Sequence, residues 1–224
     1  PLFRRRGNQP YLSECLETLG FLAFLRNDTA TARHYWQEVV AIGNTHNLPM
    51  LLCEIQPLLA IVTLYTGDLH EAKALLKHSL QLCRQVKSPP FLAQVYTCLA
   101  ETALWEENWD QAAQCLAQAV ANRSYPTHMI IGELFRLFAA VRLAAAQGHY
   151  KRAATLAGVA DATQRKSNNV YAGPALPLVD AAVAQARAAL GPAVFAEAFT
   201  AGQQLSLEEA FAAILAPYPS RLDL

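Results

Sequence analysis

The sequence predicts an all-α fold: a right-handed α-solenoid of helix pairs with a period near 40 residues, finished by a C-terminal helical cap. Three observations carry this reading. Polar turns recur at a constant interval, and small residues recur at constant distances from those turns. The stretches between them are apolar with the period of a helix, and rich in alanine, leucine and glutamine, which are good helix formers.

The turns lie in LRNDTATARHYW, YTGDLHEAKALL, WEENWDQAAQCL and AQGHYKRAATLA. Asn27, Gly67, Glu107 and Gly148 are equivalent there, at spacings of 40, 40 and 41. Seven residues before each stands Gly20, Ala60, Ala100 or Val141; four before, Ala23, Thr63, Ala103 or Ala144; five after, Ala32, Ala72, Ala112 or Ala153. Antiparallel helices joined by a short turn approach closely only where side chains are small, so each crossing carries Ala or Gly. Trp36, Leu76 and Leu116, nine past the turn, fill the space to the next pair. One pair cannot bury its apolar face alone; stacked copies can.

In order, the predicted helices are 10–25 with 29–45, 49–66 with 69–86, 90–106 with 110–122, and 128–147 with 150–166. Pro49 and Pro90 suit the first turn of a helix, where a missing N–H costs nothing. Pro57 falls mid-helix, where a proline costs about 3 kcal/mol and bends the chain, so a kink is expected there. At the start, RRRGNQPYLSE aligns with NTHNLPMLLCE and RQVKSPPFLAQ. Leu2 and Phe3 then read as the tail of a preceding second helix, and the chain as a piece of a longer array. Arg4, Arg5 and Arg6 read as the solvated, dipole-compensating end of that helix.

After RKSNNVYAGPALP the pattern changes, which divides the chain into a repeat region, 1–167, and a cap continuing the solenoid, 168–224. Three short helices are expected in the cap. Gly191-Pro192 breaks the first, Gly202 closes the second, and Ser206 with Glu209 forms a capping box opening the third. A helix-turn-helix is excluded here, because LEEAFAAIL offers two glutamates and apolar residues where a recognition helix needs groups that reach base edges.

The Leu-small pairs, the Gly-Asp turn and the following alanine, clearest in LAIVTLYTGDLHEA and AAAQGHYKRA, resemble the tetratricopeptide repeat over roughly 8–167. The links GNTHNLP and QVKSPP lengthen the period beyond that family's own. The run from about 150 to 216 resembles the segment that ends the helical-repeat region of large bacterial signal-transduction ATPases, including LuxR-type and maltose-regulator-like activators. The ATPase motif GxxxxGK[ST] is absent, so that activity is not carried over.

Composition excludes several classes. At 224 residues, 53% apolar and 16% charged, the chain is globular and long enough for a sizeable core. Eighteen basic residues balance eighteen acidic ones, which leaves no electrostatic footprint for nucleic acid or an anionic membrane. No apolar run is expected to reach the ~20 residues of a membrane span. Five cysteines, at 15, 53, 83, 98 and 115, fall inside helical patterns and are expected to be buried thiols, which suits the cytoplasm.

Catalytic constellations are not found. The six histidines form no HExxH or HxH pair, and no GxSxG or Gly-rich phosphate loop occurs, so neither an enzyme, a metal nor a cofactor is expected. The resemblance points instead to a concave face lined by the first helix of each pair. It implies groove positions three, six, ten and thirteen residues before each turn, with Tyr65 and Trp105 at the edge. The candidate partner-binding residues are Glu17, Phe21, Phe24, Glu54, Tyr65, Glu101, Trp105, Phe138 and Arg142. Equivalent positions on neighbouring helices lie about 10 Å apart, so Glu101 and Arg142 are expected to pair. The family's peptide-end clamps use Lys and Asn here; glutamates replace them, which favours a basic or aromatic ligand.

The expected function is therefore a non-enzymatic sensor or scaffold module of a larger cytoplasmic regulator of the signal-transduction ATPase type. It would bind a protein, a peptide or a small effector in the groove and contact other domains of the parent chain. The alternative is a self-associating structural array with no ligand.

Overall fold

A computed structural model of the chain describes residues 9–123, 130–167 and 173–216. Among them stand ten helices and no strand. They are α1 (Gln9–Leu25), α2 (Thr29–Thr45), α3 (Pro49–Tyr65), α4 (Leu69–Val86), α5 (Pro89–Trp105), α6 (Trp109–Ala121), α7 (Ile130–Ala146), α8 (Tyr150–Ser167), α9 (Leu176–Gln204) and α10 (Leu207–Leu215). Consecutive helices pack on one another from α1 to α9, and first helices of successive pairs touch, α3 with α5 and α5 with α7. The architecture is all-helical and repeat-like, with helix boundaries close to those read from the 40-residue turns. Leu2, Phe3 and Arg4 to Arg6 lie outside the described residues, as does His128.

The turns show why the repeat is spelled as it is. Asn27, Gly67, Glu107 and Gly148 all take positive φ, at 62°, 97°, 54° and 80°. This left-handed residue ends one helix and lets the chain reverse within three residues. The next residue then caps the following helix: Asp28, Asp68 and Asn108 accept from the backbone N–H of Thr31, Glu71 and Gln111. Asn47 and Lys87, also 40 apart, take the left-handed conformation between pairs.

Packing explains the small residues. Ala32, Ala72, Ala112 and Ala153 are fully buried, as are Ala60, Ala100 and Val141. A Cβ on Gly20 would lie 2.5 Å from the Trp36 indole nitrogen, so only glycine admits that ring. The indole N–H in turn donates to the Glu17 carbonyl, 3.3 Å away.

Pro57 does not break its helix; α3 runs through it from Pro49 to Tyr65. Proline leaves the carbonyl four residues earlier without its helical donor. That carbonyl belongs to Cys53, and the Cys83 thiol of α4 lies 4.0 Å from it as a weak donor. The Cys83 thiol thus joins the two helices of the pair at the carbonyl that Pro57 leaves without its helical donor. Cys53, Cys83 and Cys98 are buried as expected, but Cys115 is only half-buried and Cys15 is exposed on α1.

In the cap, α9 bends at Gly191, whose φ of 75° and ψ of 162° interrupt two helical arms. Gly202 does not close the second arm, which continues to Gln204. It serves close approach instead. A Cβ there would lie 1.9 Å from the Thr155 carbonyl oxygen, and a Cβ on Gly158 of α8 would lie 2.0 Å from that of Phe199. The Gln203 amide donates to Asp161 at 2.7 Å beside this crossing. Ser206 and Glu209 form the expected reciprocal capping box. Arg123 stacks its guanidinium 4.1 Å over the Phe211 ring and pairs with Glu208, while Arg152 donates to the carbonyls of Ala213 and Ala216. By length and composition α9 is long and apolar enough to cross a membrane, against the expectation of no such run, but it is bent at Gly191 and packs on α8 and α7.

Candidate functional site

The groove positions read from the sequence come together as a chain of polar contacts running across the first helices. Glu17 of α1 faces Glu54 of α3, near enough for the Glu54 carboxyl to raise that of Glu17. The Gln94 amide of α5 donates to the Glu54 carbonyl at 3.2 Å. The Tyr65 hydroxyl donates to Glu101 at 3.3 Å, and Arg142 of α7 forms an ion pair with the same carboxylate oxygen. Glu101 and Arg142 do pair. A second arginine, Arg136 of α7, donates to the Thr97 hydroxyl at 3.4 Å and pairs with Glu133.

Several of the nine candidates are interior. Phe24, Glu101 and Phe138 are buried, and Arg142 keeps 12% of its side chain accessible. Phe24 packs between Trp36 and Phe135, with ring centroids 5.7 and 5.8 Å away, so α1 reaches α7 directly at this end. Phe21, Glu17, Glu54 and Tyr65 are half-buried. Trp105 is 43% exposed and meets Tyr65 edge to face at 5.9 Å. The accessible part of the row is therefore an aromatic pair and an acidic pair.

Arg136 escaped the sequence reading. It stands twelve residues before its turn, where the other copies carry Cys15, Ile55 and Val95. A charged residue in an otherwise apolar register was the available signal. It is buried, with Glu133 as its counter-ion.

No protein-family model, curated protein or solved structure matches this chain. The site is therefore argued from its own chemistry.

Two buried-edge carboxyls that face each other cannot both stay ionised cheaply. Burial first, then the facing Glu54, pushes the Glu17 carboxyl from 4.5 up to about 7; burial also raises Glu54. The pair holds a proton near neutrality and carries less than its formal charge. Because the folded value lies above the unfolded one, the associated stability is fully present below about pH 4.5 and is lost as pH rises through about 7. Glu17→Gln keeps a hydrogen-bonding partner for Glu54 and removes the titration. Its thermal midpoint is expected to match the parent near pH 4.5 and exceed it at pH 8, in melts followed by circular dichroism. Parallel profiles for the two proteins would show that the carboxyls do not face each other.

Among the described residues, no group of three or more His, Cys, Asp or Glu is placed to hold a metal ion. The row presents an exposed indole, a phenol and two half-buried carboxyls.

Proposed function

We propose that the chain is a non-enzymatic binding module of a larger cytoplasmic regulator, with the row of first helices as its ligand surface. The supporting observation is the juxtaposition of the exposed Trp105 with Tyr65, along the same row as the acidic Glu17 and Glu54. An exposed tryptophan seated on a tyrosine gives an aromatic face for a cation or a ring, and the carboxyls favour a basic segment. The preferred ligand is a basic amphipathic peptide or a basic region of a protein partner. The tetratricopeptide-like solenoid and the ATPase-linked parent chain belong to this reading, on the strength of the turn and cap motifs.

The test is a titration with a fluorescein-labelled synthetic amphipathic peptide of alternating Lys and Leu turns, followed through the anisotropy of the label, which does not depend on Trp105. Trp36 is buried and Trp109 half-buried, which leaves Trp105 as the most exposed of the three indoles. Trp105→Ala and Glu54→Lys are each expected to weaken binding about tenfold, roughly 1.4 kcal/mol, with helical content unchanged. Affinity should fall with added salt. A peptide that binds both variants as tightly as the parent would place the ligand surface elsewhere.

A further inference from the structure

Helix α10 is held to the molecule by two arginines and one ring. Of its nine residues only Ala210 and Phe211 are buried. It rests on α6 and α8, the second helices of two successive pairs. Arg123, just past α6, lays its guanidinium 4.1 Å over the Phe211 ring and pairs with Glu208 at 3.2 Å. Arg152 of α8 donates to the Ala213 and Ala216 carbonyls at the other end. The crossing of α8 and α9 is built otherwise, with Gly158 and Gly202 bringing backbone against backbone. A short helix that buries a single large side chain sits at the low end of local stability.

Two features make α10 a separable unit. Leu205 and Ser206 are extended, with ψ of 145° and 162°, so the chain leaves α9 through a two-residue joint. The capping box of Ser206 and Glu209 lies within the segment, so the first N–H groups of the helix stay satisfied wherever it goes. The seat, by contrast, is fixed from beneath. Glu133 of α7, with 1% of its side chain accessible, holds Arg123 at 3.6 Å and Arg136 at 3.0 Å. Arg123 therefore keeps its place when α10 lifts, and then lacks the acid and the ring that α10 supplies.

We propose that α10 is a detachable strap, and that its seat on α6 and α8 takes an amphipathic helix of a partner protein in its place. The present occupant specifies the chemistry. Glu208 in the first turn and Phe211 three residues later share a face, which meets Arg123. Ala210 beside the ring is fully buried, so that position takes only a small residue. The last carbonyls accept from Arg152. A partner helix therefore carries an acid, a small residue and an aromatic ring in that order, with its C-terminal end at α8. This surface lies on second helices and is independent of the first-helix row proposed above as the ligand surface.

Native-state hydrogen exchange of the full chain, read by mass spectrometry, measures the opening. Amides of α10 are expected to be at least about a hundredfold less protected than those of α8. Phe211→Ala should lower α10 protection about tenfold further and leave α8 unchanged. The probe for the seat is a fluorescein-labelled peptide of residues 204–216, titrated into the full chain and followed by anisotropy. The protein's own α10 competes with it, so Phe211→Ala in the protein is expected to tighten peptide binding at least about tenfold. Phe211→Ala or Glu208→Lys in the peptide should abolish binding. Equal protection of α10 and α8, falling together in the variant, would overturn the strap. Peptide binding that is undetectable, or equal for parent and variant, would overturn the exchangeable seat. So would a dimer of the parent that grows with concentration and disappears in Phe211→Ala, which assigns the seat to a second copy.

Discussion

Gly202→Ala is expected to lower the thermal midpoint by roughly 6–12 °C, from a loss of about 3 kcal/mol, because the added carbon has nowhere to go. It would lie 1.9 Å from the Thr155 carbonyl oxygen, and the obstructing atom is backbone, which cannot swing aside as a side chain does. The same crossing holds Gly158, whose Cβ would lie 2.0 Å from the Phe199 carbonyl oxygen. Either substitution has to push α9 off α8. The double variant should cost less than the sum, since one separation relieves both clashes. Gly67→Ala is the control. Its φ is 97° and nothing stands within 4 Å of the added carbon, so it meets only the left-handed strain of about 1–2 kcal/mol. Melts followed by circular dichroism at 222 nm separate the two cases. Equal losses at Gly67 and Gly202 would show that α8 and α9 do not touch backbone to backbone.

Arg142→Met should be comparably damaging, about 3–5 kcal/mol, because it strands the buried Glu101 carboxylate. Only 1% of the Glu101 side chain is accessible, and besides Arg142 it accepts from the Tyr65 hydroxyl. One phenol cannot replace a guanidinium as the partner of a buried charge. Glu101→Leu combined with Arg142→Met should recover most of the loss, because an apolar pair of similar volume carries no desolvation penalty. Chemical denaturation of the two single variants and the double variant measures the coupling. A coupling near zero would mean that the two side chains do not form a pair in solution.

The helix boundaries and turns were legible because they depend on neighbours within a few residues. The left-handed position, the Asp or Asn cap after it and the alanine five residues on are local requirements, and the 40-residue register repeats them. The reciprocal box at Ser206 and Glu209 belongs to the same class. Gly202 shows where local reasoning stops. A glycine near a helix end reads equally as a terminator or as a place where backbones meet, and only the approach of α8 distinguishes them. Pro57 is similar: its local cost was readable, but not that the Cys83 thiol of another helix would lie beside the freed carbonyl.

For the candidate site the division is sharper. Sequence alone determined the first-helix register and so the possibility that Glu101 meets Arg142, because an equivalent position on the next first helix is one interaxial distance away. Tertiary structure decided which of these residues stay accessible. Phe24 becomes interior because Phe135 of α7 stacks on it, and Glu101 because Tyr65 and Arg142 close over it, whereas Trp105 is left in the open. It also buried Glu17 and Glu54 beside each other: burial raises both carboxyls, and the facing Glu54 raises Glu17 further. The physical reason is that helix and turn formation are settled by contacts along the chain. Burial across the row depends on how successive pairs are rotated against one another, and no repeat of single residues encodes that angle.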